Sequence, residues 1–233
     1  MKKYILGVKI DDVNMEEALE TVHHWLQKST KKYIVTPNPE FIMTAQKDPE
    51  FKKILNDADL SIPDGEGLKL SGKIKNTVTG VDLMEKLVEK SVDWGFAVGL
   101  LGGMDGVAEK AVECLQKKYP KIKISFAISD LTTNYPLRQS YSEASQLPTT
   151  DLLFVALGHS KQEKWIVQNL PKLKVKVAMG VGGAFDYFSG KVPRAPKWIR
   201  DLGFEWLFRL MIQPWRIKRQ ISLVKYLWLV MLS

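Results

Sequence analysis

Up to about residue 193 the chain alternates short β-branched runs with segments of helical apolar period. This alternation is its most constraining feature, because it is the pattern of βαβ units winding a parallel sheet. Strands are expected at Tyr4–Val8, Tyr33–Val35, Leu60–Ile62, Phe96–Leu101, Ile122–Ala127, Leu152–Ala156 and Val175–Met179. Between them, Met15–Gln27 places Met15, Ala18, Leu19, Val22, Trp25 and Leu26 on one helical stripe. Val81–Ser91, Val107–Lys118 and Lys161–Asn169 read the same way, and there is no internal repeat. The expectation is an α/β fold, a Rossmann-like parallel sheet flanked by helices.

The alternation stops at Val192-Pro-Arg-Ala-Pro196, where two prolines interrupt regular structure. This divides the chain into a core at 1–193 and a C-terminal appendage at 194–233. Charge divides with it. The formal net charge is +8, and the last 40 residues hold eight cations against two anions, leaving about +2 for the rest. Four of seven tryptophans, Trp198, Trp206, Trp215 and Trp228, lie there too. Clustered cations with interleaved Trp and Leu favour an anionic lipid surface over a nucleic-acid groove. Two apolar helical segments, Lys197–Gln213 and Trp215–Leu232, are expected; neither reaches the roughly 18 uncharged residues of a membrane span. The alternative is a helix pair packed on the domain's own core. A single cysteine, Cys114, fits a reducing compartment. At the N-terminus Lys9, Asp11 and Asp12 break the apolar run too early for a signal peptide, so a cytoplasmic protein is expected.

Chemistry in such sheets gathers at the carboxyl ends of the strands, and five loops there have unusual content. In Thr36-Pro-Asn-Pro-Glu40, Pro39 sits at a helix N1 position and Asn38 either caps that helix or lines a pocket. Pro63-Asp-Gly-Glu-Gly67 presents a carboxylate, Asp64, on a rigid turn; it is either a general base or an ordinary turn residue. Gly99-Leu-Leu-Gly-Gly-Met-Asp-Gly106 would let backbone amides approach a diphosphate at a helix N-terminus. A dehydrogenase would need an acid after the next strand, and Asp130 leaves that option open. Gly158-His-Ser-Lys-Gln-Glu163 puts Lys161, Gln162 and Glu163 in a first helical turn, within reach of a sugar or uracil edge or simply exposed. The last is Gly180-Val-Gly-Gly-Ala-Phe-Asp186. No metal site stands out: Asp57-Ala-Asp59 matches an Asp-x-Asp pattern but ends a helical stretch, which favours a structural role.

In order and spacing these loops resemble the WecG/TagA/CpsF family of bacterial glycosyltransferases from about residue 3 to residue 220. The most specific motif runs from Gly180 through Lys191-Val-Pro-Arg-Ala-Pro196. The tail, Glu205-Trp-Leu-Phe-Arg-Leu210 with Gln213-Pro-Trp-Arg-Ile-Lys-Arg219, is similar to the family's C-terminal appendage. The resemblance implies an inverting transferase with a UDP-sugar donor and an undecaprenyl-diphosphate-linked N-acetylglucosamine acceptor. The sugar would be N-acetylmannosamine for teichoic acid, or glucose, glucuronate or N-acetylmannosaminuronate for capsule or exopolysaccharide. No metal bound by an Asp-x-Asp motif is implied, nor any other cofactor. Asp64 would be the base, with Thr36 and Asn38 in the same pocket. Gln162, Glu163, Gly102, Gly103, Gly182 and Gly183 would hold the nucleotide, and Arg209, Arg216 and Arg219 would fold over the site. Implied with these are a peripheral place at the inner face of the plasma membrane and no nucleic-acid partner, with a homo-oligomer left open. Two positions depart from the family: Thr77 stands where arginine is common, and Ser160 where proline is frequent. Competing readings are a nucleotide-dependent oxidoreductase built on the 99–106 loop and a noncatalytic adaptor driven by the basic tail.

Overall fold

A computed structural model describes residues 1–28, 30–129, 147–214 and 217–231, together with the side chains among them except those of 201 and 218–221. Asp130, Trp215, Arg216 and the Arg219 side chain therefore lie outside the described residues. The elements in chain order are β1 (Lys2–Ile5), β2 (Val8–Asp11), α1 (Met15–Leu26), β3 (Lys32–Val35), α2 (Pro39–Ala45), α3 (Pro49–Asp57) and β4 (Leu60–Ser61). A 3-10 turn (Glu66–Ser71) leads to α4 (Gly80–Trp94), β5 (Ala97–Gly102), α5 (Val107–Lys118), β6 (Lys123–Ile128), β7 (Thr150–Ala156), α6 (Lys161–Asn169), β8 (Val175–Gly180) and α7 (Ala184–Phe188). The tail forms α8 (Lys197–Asp201), α9 (Glu205–Ile212) and α10 (Ile217–Met231).

Six strands form one parallel sheet in the order β4-β3-β8-β7-β5-β6. Successive residues alternate between its two faces, as a pleated strand requires. Ile34, Leu100, Leu152, Phe154, Val177 and Met179 join the core under α1, α4 and α5. Their neighbours Leu101, Leu153, Val155 and Ala178 meet α6 through Trp165, Ile166 and Leu170 on the other face. Both faces are covered, which is why the strands read as continuous apolar runs. The connection from β5 leads outward to β6, while that from β7 leads the opposite way to β8. The β5/β7 boundary is thus a topological switch point, where α/β sheets open a crevice.

Three expectations need correction. The first strand, read as Tyr4–Val8, is instead a hairpin, β1-β2, in a separate two-stranded sheet. Leu6 (φ 49°) and Gly7 (φ 76°) both take positive φ, the two-residue turn that suits hairpin twist. Its second strand seats Lys9 and Asp11 inside: the Lys9 ammonium donates to the Ala58 carbonyl, and Asp11 accepts the Ser61 amide at 2.9 Å. Gly99 belongs to β5 rather than to a loop. A β-carbon there would stand 2.7 Å from the Phe126 ring, so this glycine serves packing. The tail segment read as Lys197–Gln213 is two short helices, broken where Gly203 turns left-handed at φ 76°.

The tail has two characters. Helix α10 lies on α2 and the 3-10 turn, with Tyr226 fully buried among Phe41, Ile42, Leu68 and Ile74. The domain's core therefore takes in α10, the alternative weighed for the tail. Helices α8 and α9 bury none of their large apolar side chains: Trp198 is 65% exposed, Trp206 44% and Met211 75%, and on the outer side of α10 Trp228 is 64% exposed. No helix among the described residues is long and apolar enough to cross a membrane.

Candidate active site

Because the sheet is parallel, the loops after β3, β4, β5, β7 and β8 all leave from one edge, and backbone hydrogen bonds tie them together. Ile62 donates to the Val35 carbonyl at 2.8 Å and Asp64 to that of Pro37 at 3.1 Å, which zips the first two loops side by side. Val78 donates to the Pro63 carbonyl at 2.9 Å and brings up the N-terminus of α4. There Gly80 leaves room for Thr36, whose methyl would lie 3.3 Å from a β-carbon at that position. Thr36 is buried; Asn38, half-buried, caps α2 by accepting the Phe41 amide at 3.1 Å. The capping reading of Asn38 is thus realised beside Asp64.

Asp64 retains partial contact with solvent, while protein crowds its carboxyl on most sides. That desolvation pushes its pKa up from the ordinary carboxylate value to about 7, helped by the like charges of Glu205 and Asp82. The Gly80 amide, donating to it, and Arg209 pull the other way. A carboxyl poised near neutrality is matched to proton abstraction.

The second half of the edge is built from glycines. Gly102 (φ 98°) lies so close to β7 that a β-carbon would meet the Ala156 carbonyl at 2.7 Å, and the Gly103 amide donates to that carbonyl at 2.8 Å. At the start of α5 the Ala108 amide is taken by Ser129 Oγ at 2.7 Å, so part of that helix's donor capacity is spent within the protein. The Gln162 and Glu163 side chains, read as reaching outward, are buried beneath the β8 loop. Gln162 Oε1 accepts the Gly182 amide at 2.9 Å and its Nε2 donates to Glu163 Oε1 at 2.7 Å. A β-carbon at Gly180 would strike both side chains. They brace the glycine loop from below. Ser160 takes φ 61°, a value closed to proline, so a proline here would require a differently built turn.

Arg209 of α9 joins the two halves. Its guanidinium lies over the Tyr187 ring, 4.7 Å from the centroid, and against Gly183, where a β-carbon would meet Nη2 at 2.5 Å. It also acts electrostatically on Asp64. Sequence reasoning missed two tail residues. Arg194 contacts Asp82 at 2.6 Å, Glu85 at 3.3 Å and Glu205 at 3.6 Å, while Glu205 itself faces Asp64. Thr77, at the family's arginine position, donates to Glu66, which Lys69 also pairs at 3.0 Å. The Asp-x-Asp pattern is occupied structurally: Asp57 pairs Lys53, and Asp59 holds Lys32 at 2.7 Å and the Tyr33 amide at 3.0 Å.

The family model described as "Glycosyl transferase WecG/TagA/CpsF family" matches residues 3–233. Among relatives, the N-acetylglucosaminyldiphosphoundecaprenol N-acetyl-beta-D-mannosaminyltransferase of Bacillus subtilis (strain 168) is 31% identical over 208 residues, covering 87% of this chain and 80% of its own. The protein of the same name from Bacillus spizizenii is 32% identical, covering 89% and 81%. That of Staphylococcus aureus (strain MRSA252) is 32% identical, covering 94% and 88%.

Proposed function

Because this chain belongs to the WecG/TagA/CpsF family of glycosyl transferases, we propose that it transfers N-acetylmannosamine from a UDP donor to undecaprenyl-diphosphate-linked N-acetylglucosamine, the reaction named for its relatives. The observation that carries this reading is the placement of Asp64: crowded by protein, held by the Gly80 amide and pushed to about 7, on the sheet edge where the glycine loops and Arg209 meet.

In an inverting displacement the acceptor oxygen attacks the anomeric carbon as the bond to UDP breaks, and UDP departs with the electron pair. Asp64 takes the acceptor's proton. Thr36 and Asn38, beside it, orient the sugars. Gly102, Gly103, Gly182 and Gly183 let the chain approach the nucleotide closely, and Gln162 with Glu163 act through that loop. Arg209 stabilises the negative charge that grows on the diphosphate. Arg216 and Arg219 belong to the same proposal on the strength of the resemblance alone.

Residues 194–233 serve in this reading as an appendage that docks on the membrane carrying the acceptor. Exposed Trp198, Trp206, Met211 and Trp228 among the tail's cations support this. Cutting the chain at Ala195 would remove α10 from the core. Flotation with anionic liposomes is therefore better compared between the full chain and Trp198→Ser/Met211→Ser/Trp228→Ser; equal binding would remove the membrane claim. For catalysis, the test is UDP release and product formation from a panel of UDP-sugars with a lipid-diphosphate N-acetylglucosamine acceptor. Rates should rise with pH through about 7, as Asp64 loses its proton, and Asp64→Asn should abolish turnover. A fully active Asp64→Asn would overturn the assignment of the base.

A further inference from the structure

Glu205 matches no motif that pointed to the site, yet it stands in the first turn of α9, beside the charges that govern Asp64. Its Oε1 lies 3.6 Å from Arg194 Nε. Arg194 in turn holds Asp82 Oδ1 at 2.6 Å and Glu85 Oε2 at 3.3 Å on α4, and Arg200 of α8 reaches the same Asp82 oxygen at 3.4 Å. Asp82 belongs to the capped N-terminus of α4, where Thr79 Oγ1 accepts its amide at 3.1 Å. Two residues earlier in that turn, Gly80 supplies the amide that Asp64 accepts. One arginine thus ties the start of a tail helix to the helix terminus that holds the carboxyl.

The charged groups around Asp64 can be taken element by element. From α4 comes Asp82, already shared between Arg194 and Arg200. From α9 come Glu205, which opposes ionisation, and Arg209, which favours it. In the same turn as Asp64, Glu66 is engaged by Lys69 and Thr77. Among these charges Glu205 has the largest effect on Asp64 and Arg209 the smallest, so a seated α9 makes the carboxyl a stronger base on balance.

We infer that Glu205 is a positioning residue that couples seating of the tail to the base: held by Arg194, its carboxylate lies beside Asp64 only while α9 covers the site. The inference rests on the reading of Asp64 as the base. A tail that merely covered the site would need no acid here. With Glu205 in place, seating α9 delivers a cation for the departing diphosphate and also strengthens the base.

The test is the pH profile of kcat/KM for the full-length protein, with UDP-N-acetylmannosamine and a soluble lipid-diphosphate N-acetylglucosamine analogue. Glu205→Gln keeps the shape and removes the charge. Its acid-limb midpoint should fall below that of wild type by about half a pH unit or more, and its plateau should fall too, because a weaker base abstracts more slowly. Glu205→Asp should recover much of both. A rate lowered by the same factor at every pH, with an unmoved midpoint, would make Glu205 a structural tether and overturn the inference. If Glu205→Gln is too slow to profile, carbon-13 NMR of the Asp64 carboxyl in both full-length proteins gives the same comparison, and an unchanged titration midpoint refutes the coupling. Wild-type activity in Asp64→Asn would instead bring down the base assignment itself, an outcome that no Glu205 result can imitate.

Discussion

Replacing Glu163 with glutamine should stabilise this protein in alkaline solution and leave it almost unchanged in acid. The Glu163 side chain is fully buried; Oε1 takes the Gln162 amide at 2.7 Å, and Oε2 has no hydrogen-bond partner among the described residues. Burial raises its pKa from the ordinary 4.5 to about 7. A carboxyl whose pKa rises on folding binds its proton more tightly in the native state. Its stabilising effect is therefore complete below the unfolded value and is lost as the pH climbs from 4.5 through about 7. The gap between the two values corresponds to about 3 kcal/mol once the group is forced to ionise. Glutamine has the same shape, can accept the same hydrogen bond and carries no proton to lose. For a domain of this size 1 kcal/mol moves Tm by roughly 2–4 °C. At about pH 8.5 Glu163→Gln should then melt roughly 6–12 °C above wild type, converging to within about 2 °C near pH 5. Asp64 titrates in the same range but is present in both proteins, so it cancels. Calorimetry at the two pH values decides the matter: an equal difference at both, or a loss at alkaline pH, would mean that Glu163 does not bury a proton.

Two further changes separate fold from chemistry. Gly183→Ala needs no unusual backbone, since φ is −84°, but its methyl would displace the Arg209 guanidinium. Turnover should drop at least tenfold, about 1.4 kcal/mol of transition-state stabilisation, with Tm unchanged within about 2 °C, as measured by initial rates beside thermal melts. Tyr226→Ala empties a site between α10, α2 and the 3-10 turn and should cost about 3–5 kcal/mol in denaturant unfolding; a loss under about 1 kcal/mol would show that α10 is not part of the core.

The sheet was legible because its strands are buried on both faces, so Leu152–Ala156 and Val175–Met179 are apolar without a break. The capping of α2 by Asn38 could be read from the adjacent Pro39. The hairpin was obscured by Leu6, since a positive φ at leucine carries no local signal, and only Gly7 hinted at a turn. Burial of Gln162 and Glu163 could have been read, because they share a helical stripe with Ile166 and Leu170. Polar identity outweighed that phase because it suggested a surface. Arg194 and Glu205 were illegible for another reason. Their roles arise from partners more than ten residues away in sequence, Asp82 and Asp64, and no local period records such a meeting.

The unlike burial of the tail helices has a mechanical consequence. With Tyr226 locked among core side chains, α10 can no more leave the domain than a strand could; it is a fixed pier. Any rearrangement of the tail has to be taken up by the short span before it, α8 and α9, pivoting at Gly203 and at the Gln213-Pro214 corner. That span carries Arg200, Glu205 and Arg209, so a hinge of a few residues is enough to assemble or dismantle the charged rim while the hydrophobic interior stays closed.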